Sequence, residues 1–299
     1  MPFRRVVIRE KPLLFSTNSL WWILDPWNEE GITDNTVVPS FFYRRIMLME
    51  TLILIVAMLL VLKNVNWARS SAVGHKNRLM LIAVDNKMYS ELEKLTKEQR
   101  HHIENVLGFH ILVCGVGTDN AARATQWAKM AGCYQACVNI GTAGSHKFPT
   151  GALVIPNQTA LRDFDCSAIM PIEKHKVPFD DVNRFGAERV DGMFRMIDLT
   201  TLVIPDGVKV LVGSDENPIT CWTGNNTHAF TEKSDIMDGA VIEMEGDAVV
   251  GTYEDKALLI KWISDGGDEN VAEEWQANAG GIPWDDVISI LNANFSRKV

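Results

Sequence analysis

From residue 77 onward the chain alternates short apolar runs with polar stretches of helical spacing. The runs at 78–84, 110–114, 134–140, 151–156, 208–213 and 257–263 have the length and composition of buried strands. Between the first two, Met88, Leu92 and Leu95 recur at i, i+4 and i+7, which predicts an amphipathic helix over 85–95. Similar patterning predicts helices over 97–107, 120–130, 190–197, 243–253, 272–277 and 284–295. Strands alternating with helices predict one three-layer α/β/α domain over residues 77–299.

Residues 1–76 read differently, as an N-terminal extension without sustained periodicity. Residues 46–62 are the most apolar stretch, but only 51–62 run uninterrupted, short of the ~20 residues that cross a bilayer. Arg44 and Arg45 precede the stretch and Lys63, Arg69 and Lys76 follow it, so flanking charge sets no orientation. Three readings stay open: a membrane anchor through 46–62, a hydrophobic helix buried against the domain or a partner, and a natural start downstream.

A net charge of −9 and a pI near 5.3 argue against nucleic acid as a partner. The five cysteines lack CxxC pairing and the seven histidines form no HExxH, so neither metal nor cofactor is expected. Reduced thiols suit a cytoplasmic location for the folded domain.

Chemistry concentrates in four turns. Residues 241–268 hold two acidic clusters, Glu243/Glu245 and Asp265/Asp268, each where the chain leaves an apolar segment. Ligands of α/β sheets bind outside the carboxyl ends of strands, so the two clusters are expected to share a crevice. Gly115-Val116-Gly117 is a tight strand-to-helix turn but not a dinucleotide fingerprint, since Asn120 stands where the last glycine belongs. Gly141-Thr142-Ala143-Gly144 closes another strand with residues small enough for a ligand to approach the backbone.

Taken in order, the turn at 115–122, VNIGTAG at 138–144, GALVIP at 151–156, VIEMEGDA at 241–248 and WISDGGD at 262–268 resemble the nucleoside phosphorylase superfamily. Within it they most resemble the methylthioadenosine/S-adenosylhomocysteine nucleosidases. The resemblance covers residues 78–299 and implies a central mixed sheet flanked by helices, a homodimer, and cleavage of the N-glycosidic bond of a purine nucleoside. It implies roles too: Asp265 as the acid protonating the base, oriented by Ser264; Glu245 on the ribose hydroxyls; Met244 against the sugar; and Glu243 in support. Thr142, Ala143 and Gly144 would line the site, as would Ile219 after the 208–213 strand.

Phosphorylases of the superfamily clamp phosphate with arginines. Here residues 84–87 read Val-Asp-Asn-Lys and Asn139 stands two residues before Gly141, so water is the expected acceptor. The water-polarising glutamate of the nucleosidases falls, in straight register, on Lys87; Asp85 and Glu91 are the candidates to replace it. Asn217 and Pro218 occupy the place of the base-stacking aromatic, leaving that task to Trp222. The expected activity is hydrolysis of an adenine nucleoside such as methylthioadenosine or S-adenosylhomocysteine. A phosphate-dependent phosphorylase and a non-catalytic nucleoside-binding relative are the alternatives.

Overall fold

The computed structural model describes residues 77–131, 134–178, 188–225 and 241–296. The apolar stretch at 46–62 and the rest of the N-terminal extension lie outside them. Among the described residues no helix is long and apolar enough to cross a membrane.

The strands, in chain order, are β1 (Arg78–Ile82), β2 (Phe109–Val113), β3 (Ala136–Gly144), β4 (Leu153–Ile155), β5 (Gln158–Leu161), β6 (Arg195–Met196), β7 (Val210–Val212), β8 (Thr220–Thr223), β9 (Val241–Glu243) and β10 (Ala257–Asp265). The helices are α1 (Lys97–His101), running on as a wider π turn over His102–Val106, then α2 (Thr118–Met130), α3 (Gly246–Tyr253), α4 (Val271–Asn278) and α5 (Trp284–Phe295). These strands join one mixed sheet in the order β6-β5-β8-β9-β3-β10-β4-β7, with β1 pairing to β3 and β2 to β1. β3 and β10 form its spine, parallel over their length and both buried.

Period-2 alternation sorts the core into two clusters. Leu79 and Leu81 of β1 and Leu259 of β10 pack with Ala121, Ala128, Val249 and Val250 from α2 and α3. Met80, Ile82, Leu258 and Ile260 instead pack with Ile103, Leu107, Val287, Ile290 and Leu291. Successive strand residues face opposite layers, and the predicted three-layer architecture follows.

Two predicted helices are absent. Over 85–95, the Asn86 side chain accepts from the N–H groups of Met88 and Tyr89, and Asp85 bridges to Ser90, so local side-chain bonds close a loop where a helix was expected. Over 190–197, Asp191 and Gly192 both take positive φ and turn the chain back, pairing Val190 with Phe194 ahead of β6. The predicted helix at 243–253 begins only at Gly246, because Glu243 still belongs to β9.

One ion pair ties the spine together. Lys261 points from the middle of β10 into the core, fully buried, and its Nζ donates to Glu243 Oε2 at 2.7 Å and to Asn139 Oδ1 at 2.5 Å. Asn139 in turn donates to the Leu81 carbonyl, so β10, β9, β3 and β1 meet at one polar node. Burial opposes the lysine's charge, but Glu243 and the other acidic groups around it together outweigh that and hold its pKa above the ordinary value. Removing one partner of such a pair strands the other. Lys261→Met should therefore lose about 3–5 kcal/mol in urea unfolding, and adding Glu243→Gln should recover part of that loss. An unchanged midpoint in the single variant would show that the pair does not carry the node.

Candidate active site

The carboxyl ends of β1, β3 and β10, with the turn after β9, open into a cavity of about 430 Å3. Its lining includes Glu91, Thr142, Ala143, Gly144, Glu243, Met244, Glu245 and Asp265, so most of the sequence-predicted residues come together. Ser264 lies just behind, its hydroxyl donating to Asp265 Oδ2 at 2.7 Å. Three predicted residues lie elsewhere. Asp85 is exposed and bonded to Ser90. Ile219 precedes β8, at the end away from the cavity, where its N–H donates to Asn157. Trp222 is a core residue packed edge-on against His175 and Phe194 and does not line the cavity.

Close backbone approach explains the Gly141–Gly144 turn. A Cβ on Gly144 would stand 2.4 Å from Asp265 Oδ1, and one on Gly141 would stand 2.9 Å from Glu91 Oε1. Each glycine thus admits a carboxylate that any side chain would displace.

Glu91 reaches the cavity because the 85–90 loop folds back on itself and returns the chain to the end of β1. Its Oε2 accepts from the Ala83 and Val84 N–H groups at 3.0 and 3.1 Å. Its Oε1 accepts from the Thr142 N–H at 2.7 Å and the Thr142 hydroxyl at 3.1 Å. Burial raises its proton affinity, and these donors pull the other way without cancelling the effect. The six-residue loop is what straight register misses, and only Asn86, a turn former, signals it in the sequence.

Glu243 is saturated: besides Lys261 it accepts from the Thr223 hydroxyl and from the N–H groups of Glu245 and Gly246. Burial pushes its pKa up, but Lys261 and these donors hold it below the ordinary value, so it is a fixed anion. Among the described residues Glu245 has one side-chain bond, accepting from the Gly117 N–H at 2.9 Å. Burial, then the charge of Glu243, raises it to about 8. Asp265 is raised as well, chiefly by burial, against the Ser264 hydroxyl and the Gly267 N–H. The lining contains no lysine or arginine among the described residues.

Sequence reasoning missed Trp275, from α4, which lines the cavity and donates from Nε1 to Thr142 Oγ1 at 3.0 Å. It also missed the carboxyl end of β8, where Thr223 holds Glu243 and Asn225 accepts from the Thr118 N–H beside Gly117. A tryptophan within a polar helix was the available signal for the first; β8 is four residues long and gave none.

This mixed sheet with an acidic cavity at its strand ends is the nucleoside phosphorylase/nucleosidase-like fold, and the phosphorylase superfamily profile matches residues 87–205. The resemblance read from the ordered turns is borne out. Among solved structures the chain is similar to the 5′-methylthioadenosine/S-adenosylhomocysteine nucleosidase of S. pneumoniae, with TM-score 0.55 and 16% identity. It is similar also to the futalosine hydrolase of Helicobacter pylori (TM-score 0.54, 16% identity) and the Neisseria meningitidis nucleosidase (0.53, 20%). Each comparison covers 73% of this chain and 99% of the other. No curated protein matches the sequence.

The raised carboxyls have a consequence for stability. Glu245 ionises near 4.5 when unfolded and near 8 when folded, so between those values the folded state binds more protons and stability falls as pH rises. Glu245→Gln should flatten the fall in thermal midpoint between pH 5 and 8. Parallel wild-type and variant curves would contradict the burial of this carboxyl.

Proposed function

We propose that the chain is a purine-nucleoside N-ribohydrolase. The observation that carries this reading is the convergence of Glu91, Glu245 and Asp265 on one cavity from three separate parts of the chain. Asp265, with raised proton affinity and one oxygen held by Ser264, is suited to hand a proton to N7 of the leaving base. Glu245, beside Met244, is placed to accept from the ribose 2′- and 3′-hydroxyls; those donors favour its ionised form, which stabilises the oxocarbenium-like sugar. Glu91 polarises the attacking water and takes its proton as the C1′–oxygen bond forms and the C1′–N9 bond breaks.

Water is favoured over phosphate because a transferred dianion needs cationic clamps, and the described lining has none. The place of Glu91 in the cavity answers one of the two grounds for a non-catalytic binder, the missing water-activating carboxylate; the other, the apolar stretch 46–62, lies outside the described residues. Adenine nucleosides such as methylthioadenosine and S-adenosylhomocysteine are the proposed substrates, with a homodimer as the working form.

Free base should appear from methylthioadenosine in phosphate-free buffer. Asp265→Asn and Glu91→Gln should each lower kcat by about 10²–10⁴-fold, whereas Asp85→Asn should leave it near wild type. A strict phosphate requirement would instead mark a phosphorylase, and full activity in Glu91→Gln would remove that residue from the reaction.

A further inference from the structure

Two indole N–H groups converge on Glu91 from the C-terminal helices. Trp284, at the start of α5, donates from Nε1 to the Glu91 backbone carbonyl at 3.2 Å. Trp275, on α4, donates to Thr142 Oγ1 at 3.0 Å, and that hydroxyl lies 3.1 Å from Glu91 Oε1. We propose that Trp275 is a positioning residue for Glu91, acting through the Thr142 hydroxyl. The proposal deepens the assignment of Glu91 as the water-activating base and rests on it.

Hydrogen-bond direction sets this relay. An indole N–H can only donate, and a hydroxyl has one proton and two lone pairs. With Trp275 on one lone pair, the Thr142 proton is left to point at Glu91. Glu91 Oε1 then receives two donors from one residue, the Thr142 N–H and hydroxyl, and its orientation toward the cavity is fixed. Without the indole N–H, the hydroxyl rotates and can accept from, or donate to, a water or a ligand instead. Trp275 is itself held by Tyr89, whose ring centroid lies 4.9 Å away at 55°. Tyr89 stands two residues before Glu91, so α4 and the loop that delivers the base are docked together.

Other charges and titratable groups face Glu91. Lys261 below favours its anion, while Glu245 across the cavity and the Cys114 thiol at the end of β2 interact with it unfavourably when charged. None of these contacts Trp275 through a hydrogen bond given by the structure. Trp275→Phe keeps an aromatic ring, though a smaller one, and removes the donor; comparison with Thr142→Val then separates the relay from the lost volume and from the background set by those groups.

The test uses the full chain without substrate, so its outcome is separate from whether any nucleoside is cleaved. In 15N-labelled protein the Trp275 indole N–H resonance should titrate with the same midpoint as the 13C-labelled Glu91 carboxyl. Trp275→Phe should raise the Glu91 midpoint by about half a pH unit or more, since a donor to the anion is weakened. Thr142→Val should raise it too, and adding Trp275→Phe to Thr142→Val should produce no further shift, as expected of two links in one path. Trp284→Phe, which loosens only a backbone contact, should leave the midpoint in place. If base release is observed, the acid limb of the kcat profile should move by the same amount in Trp275→Phe, with KM changed less than kcat. An indole resonance flat across the Glu91 titration, or additive shifts in the double variant, would overturn the relay. Inactivity toward every nucleoside alongside an intact relay would count against the proposed reaction alone.

Discussion

A lysine with no solvent exposure, in the middle of the longest pairing of the sheet, is the constraint on which the cavity depends. Burying an ammonium is costly unless charge and hydrogen bonds compensate it. Here Glu243 supplies the charge and Asn139 the neutral acceptor. Because Glu243 is thereby fixed, its remaining lone pairs are free to organise the next turn, taking the N–H groups of Glu245 and Gly246. That turn starts α3 and aims Glu245 and Met244 into the cavity. The ion pair is thus a scaffold element, and Glu243 serves the site through the backbone it holds. The same network gives Asn139 an intramolecular task.

The cavity floor is shaped by what is missing as much as by what is present. Gly141 and Gly144 remove two β-carbons where Glu91 and Asp265 press against β3. Both carboxylates therefore sit against backbone amides and hydroxyls in a site largely withdrawn from water, which raises their proton affinity while fixing their direction. Burial and orientation arise from one packing decision. A single methyl at either glycine would undo both.

Much of this was legible in the chain. The strand runs and their alternation gave the three layers, since period-2 burial is written directly into Leu79–Ile82 and Leu258–Lys261. The acidic turns gave Glu245 and Asp265 because their spacing equals one helix and one strand. What failed had local causes. The 85–90 loop closes through Asn86 and Asp85 side-chain bonds that no apolar periodicity reports, so the residue that reaches the cavity, Glu91, was only one of two candidates. Ile219 was misplaced because β8 was not recognised; its carboxyl end, and not its start, faces the site. Trp222, expected to stack on the base, fills the core, and Trp275, given no part in the sequence reading, lines the cavity. Aromatic identity alone does not say which end of an element an indole serves.

The electrostatics favour the developing charge over the resting site. Lys261 is matched to Glu243, so Glu91, Glu245 and Asp265 face a cavity without a cation of their own among the described residues. Burial and mutual repulsion make the empty site reluctant to ionise fully, and Glu245, raised to about 8, expresses that reluctance most clearly. A neutral nucleoside relieves little of it. In the proposed reaction, a sugar becoming oxocarbenium-like supplies the missing positive charge where these carboxyls converge, and the leaving base takes its N7 proton from Asp265, whose carboxyl is oriented by Ser264. Under the proposed reaction the site gains more from the transition state than from the bound substrate, and that difference is what would accelerate glycosidic cleavage.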